Sequence, residues 1–270
     1  MATPIGNLGD ISKRAIDVLN QVDVVACEDT RTTGNLLKLL GIPKKRLISY
    51  YDNVEKERLS KIIKILERGK DVALVSEAGS PVISDPGFLL VRECRKRGMK
   101  VSVVPGPSAP IAALMISGIE PIPFTFLGFM PRKEGDIKAT LGPFSQVNTT
   151  LIFFERKSRL KNTLKIAYDT LKGEREVAIV KEITKIYEDV IIIPLSEYEK
   201  IGELKGEITV VISPPQKREL KTNERDLINM IKMEMAGNKS TKELVKNILE
   251  ASDGWSKKEV YNLYLRIKNG

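Results

Sequence analysis

The sequence predicts an α/β protein of two lobes with a small helical module at its C-terminal end. Three observations carry this prediction. Short apolar runs alternate with amphipathic stretches through the first 118 residues; a proline-bearing segment at 119–131 breaks that rhythm; and Pro214-Pro215 precedes a tail of helical patterning. The expected divisions are residues 1–118, 119–215 and 216–270. At 270 residues the chain is long enough to bury a core in each lobe.

In the first lobe, residues 22–26, 46–50, 71–76 and 100–104 read as strands. Between them, 12–20, 31–40, 54–68 and 87–97 carry helical spacing, with Leu59, Ile62, Ile63 and Leu66 on one face. Strands separated by helices predict a mainly parallel sheet. In the second lobe, 150–155 reads as a strand and 158–171 as a helix. The extended runs 176–181 and 186–193 frame a polar turn, and 207–213 closes a sheet of mixed direction. In the tail, Ser240-x-x-Glu243 and Ser256-x-x-Glu259 are capping boxes, with turns at Gly237-Asn238 and Asp253-Gly254. A three-helix module and a helical tail packed on the second lobe both fit this pattern.

Composition excludes several chemistries. The chain has no histidine, which removes serine–histidine and cysteine–histidine catalysis and histidine metal sites. Cys27 and Cys94 are too few for a disulfide framework or a cysteine-based zinc site, so no metal is expected. Acid–base work falls to carboxylates, Lys, Tyr, Cys or the substrate. No apolar run reaches the roughly 20 residues a membrane helix needs, and the first ten residues lack a signal-peptide pattern. The expectation is a cytoplasmic protein without membrane contact. The net charge is +9, and residues 217–270 hold 12 Lys/Arg against 8 Asp/Glu. A second basic run comprises Arg156, Lys157, Arg159, Lys161 and Lys165. Such charge favours a polyanionic partner, nucleic acid first.

Four loops rich in glycine, proline and small polar residues fall at predicted strand ends. They are residues 2–7, 27–31, 76–87 and 105–109. Glycine lets backbone approach a ligand closely, and proline fixes the approach angle. Ligands of open α/β sheets bind beyond the carboxyl ends of strands, so four such loops predict one site. Neither G-x-G-x-x-G after a strand nor G-x-x-x-x-G-K-[ST] is present, which disfavours the common nucleotide sites.

The stretches ATPIGNLGDIS (2–12), ACEDTR (26–31), LVSEAGSPVISDPG (74–87), VPGPSA (104–109), GFMPRK (128–133), EITK (182–185), KGEITVVI (205–212) and SKKEVYNLYL (256–265) resemble the tetrapyrrole-methylase superfamily. Within it, they are most similar to the branch that methylates small-subunit ribosomal RNA. The resemblance implies the two-lobed class III methyltransferase fold, S-adenosylmethionine as cofactor, and a homodimer. It also implies 2′-O-methylation of a cytidine in the decoding region of 16S rRNA, with free rRNA or the assembled small subunit as substrate.

By the same resemblance, Pro4, Ser76, Ala78, Gly79, Ser80, Pro81, Pro105, Gly106, Ser108 and Ala109 hold the cofactor, with Phe154, Glu155, Ile183 and Thr184 from the second lobe. Asn7, Glu28, Asp29, Arg31, Asp85, Arg132 and Lys133 face the RNA. The sequence departs from the family at Glu77 and Ser80, where Asp and Thr are usual. Tyr51-Asp52-Asn53 and Arg156-Lys157-Ser158 also stand in stretches that commonly hold histidine. Met1 directly precedes ATPIGNL, which leaves the expected first strand short.

For the chemistry, Glu28, Asp29, Asp85 and Lys133 are the candidates to accept or steer the hydroxyl proton, with Arg31 positioning Asp29. Arg156, Lys157, Arg159, Lys161, Lys257 and Lys258 are the candidate phosphate contacts. Two rival readings share the fold: a tetrapyrrole C-methylase, and a non-catalytic RNA-binding assembly factor. The basic tail and CEDTR favour RNA, and the intact SEAGSP and PGPSA loops favour an enzyme.

Overall fold

In a computed structural model, described for residues 1–51, 55–216, 222–235, 237, 240–252 and 254–269, the chain divides into two compact units, Met1–Pro215 and Gln216–Gly270. Asp52, Asn53, Asn238 and Asp253, singled out above, lie outside the described residues.

The first unit opens with α1 (Lys13–Gln21), whose Ser12 side chain accepts from the Ala15 amide and so caps the helix. β1 (Val24–Cys27) is central in a parallel three-stranded sheet, between β2 (Arg46–Ser49) and β3 (Val72–Val75). All four β1 residues are buried because helices cover both sheet faces. On one face, α3 (Glu55–Glu67) and α4 (Phe88–Lys96) supply Ile62, Ile63, Leu90 and Cys94. On the other, α1 and α2 (Thr30–Leu39) supply Leu19 and Leu37.

The segment 100–104, expected to be a strand, joins no ladder. Its neighbour is the N-terminal segment, which reaches it through one bond, Ala2 N to Val104 O at 3.1 Å. Arg95 and Arg14 side chains donate instead to the carbonyls of Val101 and Val103. A ladder needs a backbone partner over several residues, and side-chain donors replace it here.

α5 (Ala109–Ile116) leads to a five-stranded mixed sheet of order β4-β5-β8-β6-β7. Its strands are β4 (Phe124–Phe129), β5 (Thr150–Arg156), β6 (Glu176–Lys181), β7 (Asp189–Pro194) and β8 (Glu207–Ile212). β4 is parallel to β5 and the remaining pairs are antiparallel. β4 lies inside the segment expected to be a connector. Pro121 and Pro123 precede it, so neither removes a ladder hydrogen bond, and the ladder is irregular between Phe126 and Phe129. α6 (Glu134–Leu141) and α7 (Leu160–Leu171) cover one face. On the other, Ile5, Ala113 and Leu114 share a core with Ile152, Ala178 and Val211. Residues on both sides of position 118 thus bury one another's apolar surface.

The second unit contains α8 (Glu224–Met235), α9 (Thr241–Ala251) and α10 (Lys257–Asn269) around a core of Leu227, Ile231, Leu244, Ile248 and Val260. Both predicted capping boxes form. Ser240 and Glu243 exchange bonds at the start of α9, as do Ser256 and Glu259 before α10.

Candidate active site

β3 ends at Val75, and the chain then makes the first wall of a cleft. Ser76, 3% exposed, turns its hydroxyl onto the Gly79 carbonyl at 2.9 Å. Thr3 and Gly79 exchange backbone bonds of 2.9 and 3.1 Å, and Thr3 Oγ1 donates to Ser76 O. Gly79 adopts φ +77°, and a Cβ there would meet Ile5 at 3.3 Å. Only glycine takes that conformation without strain, so the loop is held against the N-terminal segment with Ala78, Gly79 and Ser80 facing outward into the cleft. Ser80 Oγ bonds Pro107 O at 3.4 Å, which ties this wall to the 105–109 loop. Ser108, Ala109 and Pro110 continue it.

The opposite wall comes from the mixed sheet. Phe154 packs against Phe126 and Phe129, with ring centroids 5.1 and 5.0 Å apart. Ile183 enters from the turn after β6, where Glu182 and Thr184 have φ of +50° and +66°. That turn is pinned by Glu182 N to Glu207 O and by Glu207 N to Glu182 Oε1, at 3.0 and 2.9 Å. The Glu207 amide holds the Glu182 carboxyl below the usual carboxylate range, with help from Lys185. The cleft has a volume of about 820 Å³.

The cleft also carries charge: Glu28, Glu77, Asp85, Glu155 and Glu207 line it together with Arg156 and Lys157. The turn carrying Arg156–Ser158 is anchored by Glu155, whose side chain is 1% exposed. Arg159 grips that carboxylate through Nε at 2.9 Å and Nη2 at 2.6 Å, and also donates to Met130 O. Asp85 sits on a loop braced from behind. Glu55 Oε1 accepts both the buried Tyr50 hydroxyl at 3.1 Å and the Gly87 amide at 3.0 Å.

Of the residues expected from sequence, the cleft gathers Glu28, Asp85, Ala78, Gly79, Ser80, Ser108, Ala109, Phe154, Glu155, Arg156 and Lys157, with Ile183. Pro4, Ser76, Pro81, Pro105, Gly106 and Thr184 stand outside its lining, and so do Asn7, Arg132 and Lys133. Asp29 caps α2: its Oδ1 accepts from the amides of Arg31 and Thr32 at 2.6 and 3.4 Å. The Arg31 guanidinium and those amides hold the Asp29 carboxyl below its ordinary range. Neither Asp29 nor Arg31 lines the cleft. Lys161 donates to Glu199 O, while Lys257 and Lys258 belong to the second unit.

Sequence reasoning missed Phe126 and Phe129, Ile83 and Ser84, and the β8 residues Ile208 and Thr209. A signal was present for the phenylalanines in the run FTFLGF beside GFMPRK. The β8 residues lie within the matching stretch KGEITVVI, which marks them by resemblance but not by any local pattern. Among the described residues, no cluster of three His, Cys, Asp or Glu could hold a metal ion, and no helix is long and apolar enough to cross a membrane.

The family model described as Tetrapyrrole (Corrin/Porphyrin) Methylases matches residues 2–199. The chain belongs to the tetrapyrrole methylase family. This member is 39% identical, over its full length and 91% of the relative's, to "Ribosomal RNA small subunit methyltransferase I" of Mesorhizobium japonicum. The Thermotoga maritima protein of the same name is 43% identical over 217 residues, which is 79% of this chain and 96% of that relative. Among solved structures, the methyltransferase CobJ superposes with a TM-score of 0.58 at 15% identity, covering 77% of this chain and 90% of that one. Uroporphyrin-III-C-methyltransferase from Thermus thermophilus gives 0.53 at 18% identity, with the same coverage. These two likenesses establish the tetrapyrrole methylase fold.

Proposed function

We propose that this tetrapyrrole methylase transfers a methyl group from S-adenosylmethionine to the ribose 2′-hydroxyl of a cytidine in the decoding region of 16S rRNA. The observation that carries the reading is the cleft itself, where small-residue loops and aromatic side chains share one lining with Glu28, Asp85, Arg156 and Lys157. The relatives' printed name supplies the substrate class. Within that lining, the Arg156 and Lys157 side chains suit an RNA backbone.

The cleft fits the cofactor. Its volume lies within the range of small-molecule sites, about 300–1,000 Å³. Ala78–Ser80 and Ser108–Pro110 present backbone on one side, and Phe126, Phe154 and Ile183 supply an apolar surface for a purine on the other. When bound, S-adenosylmethionine supplies an electrophilic methyl carbon on a positively charged sulfur.

The chain's own part is alignment, exclusion of water and proton transfer. Arg156 and Lys157 hold the phosphates flanking the target ribose. Glu28 or Asp85 would accept the proton of the target 2′-hydroxyl. Asn7, Arg132 and Lys133 extend the RNA track. Exposed Ile111, Met115 and Ile116 on α5 support assembly as a homodimer, and the protein works in the cytoplasm on rRNA or the small subunit. The test is transfer of tritiated methyl groups to small-subunit RNA from a strain lacking this protein, followed by mapping. Label in an alkali-resistant dinucleotide containing cytidine is expected; label on a base, or none in RNA, refutes the reading.

A further inference from the structure

We infer that the C-terminal unit carries a second RNA site, a groove that takes a single-stranded segment by its phosphates and one stacked base. This rests on the reading of the chain as an rRNA methyltransferase. The groove lies between the starts of α9 and α10, has a volume of about 610 Å³, and is lined by Thr241, Lys242, Val245, Lys257, Lys258 and Tyr261. Three lysines from two helices therefore face one concavity. None of them makes an ion pair among the described residues.

The acids closest in sequence do not neutralise the groove, because they are engaged at the helix ends. Glu243 accepts from the Ser240 amide at 3.1 Å, and Glu259 accepts from the Ser256 amide at 2.8 Å. The floor is rigid. Val245 is buried in the core of the unit, and Tyr264, 6.4 Å from Tyr261 between ring centroids, contacts Thr241 through its hydroxyl at 3.3 Å. Tyr261 itself is 44% exposed. An exposed ring beside a cluster of unpaired cations is the arrangement that binds single-stranded nucleic acid, because stacking takes any base and ammonium groups take the backbone. A double helix would leave the ring without an unstacked base.

A second observation separates this groove from the catalytic cleft. The Thermotoga maritima and Hydrogenobaculum relatives match over 217 residues, 96% and 93% of their own lengths, against the 215 residues of the first unit here. Relatives of the same printed name thus occur at about the length of the first unit, which accords with a role of the second unit in holding substrate rather than in transferring the methyl group.

The test uses the full chain and a fluorescein-labelled single-stranded RNA oligonucleotide, titrated at several salt concentrations. Each phosphate contact on a single strand contributes about 0.7 to the slope of log affinity against log salt. The triple variant Lys242→Gln, Lys257→Gln, Lys258→Gln is expected to flatten that slope by about 2. Tyr261→Ala weakens binding about tenfold or more, and Tyr261→Phe restores it, since stacking needs the ring alone. With small-subunit RNA as substrate, KM rises in the triple variant while kcat holds. An unchanged slope overturns the inference, and so does a Tyr261→Phe variant as weak as Tyr261→Ala. Unaltered oligonucleotide binding with activity lost only on assembled subunits would assign the groove to a protein contact, and also overturns it. If the wild-type chain methylates no RNA, the reading of the cleft fails, and the titration still decides the groove.

Discussion

Replacing Arg159 by methionine tests whether this residue is a phosphate contact or a structural anchor. The Glu155 carboxylate beneath it is 1% exposed. It accepts from Arg159 Nε and Nη2, from the Arg156 amide at 2.7 Å, and from Thr163 Oγ1 at 2.5 Å. Arg159→Met removes the only cation paired with that carboxylate among the described residues and leaves a buried charge with neutral donors alone. Breaking such a pair costs about 3–5 kcal/mol, most of it from the uncompensated charge rather than from the lost attraction. The double variant Glu155→Leu, Arg159→Met removes both charges and should recover much of that loss. Urea unfolding followed by far-UV circular dichroism reads both units, while fluorescence of Trp255, the only tryptophan, reads the second, so a transition seen in the first signal alone belongs to the first unit. The expected result is a large loss in the first signal and little change in the other. A loss below about 1 kcal/mol, with RNA binding weakened and the salt slope flattened, would refute this reasoning and make Arg159 the phosphate contact that the basic run suggests.

Other expectations concern the cleft and its loops. Glu28→Gln and Asp85→Asn distinguish the two proton acceptors: the true one loses about 10²–10⁴-fold in single-turnover rate with cofactor affinity intact, and equal, small losses in both would remove carboxylate catalysis. Gly87→Ala places a Cβ 2.5 Å from Leu74 Cδ2 at φ +133°, so a loss of about 1–3 kcal/mol and weaker RNA binding through the displaced Asp85 loop are expected; calorimetry showing unchanged stability contradicts it. Asp29→Asn keeps the N-cap, since an amide oxygen caps as well as a carboxylate, and full methylation by this variant would dismiss Asp29 as a catalytic group. Because Asp29's carboxyl is held below its ordinary range, its contribution is complete above about pH 4 and fades as pH falls through the lower folded value. Amide protection factors at the start of α2, corrected for the intrinsic exchange rate at each pH, should therefore fall in acid in the wild type and stay level in Asp29→Asn.

Much of this molecule was legible in the chain because its signals are local. The buried run at 24–27, the helical spacing of 59–66, and the Ser240 and Ser256 capping boxes each depend on residues a few positions apart. So do the loops that carry Gly79 and Ser108, whose backbone demands are written in glycine and proline. The matching stretches added the cofactor and substrate class, which spacing alone does not contain.

What sequence could not decide was partnership across distance. Residues 100–104 have the apolar composition of a strand, yet no neighbouring backbone runs beside them long enough to form a ladder. Residues 124–129 sit among prolines, yet β5 is there to pair with them. Arg159 and Lys161 look like Arg156 and Lys157 in the chain. Only the fold turns the first pair onto Glu155, Met130 and Glu199, and leaves the second pair facing the cleft. The sequence by itself determined which residues could be strands, caps, close-approach loops and cations. The tertiary structure alone decided which cations are already engaged, because the end of β5 and the start of α7 must be set together for Arg159 to close on Glu155, and the Met130 and Glu199 carbonyls come to Arg159 and Lys161 from 29 and 38 positions away in the chain.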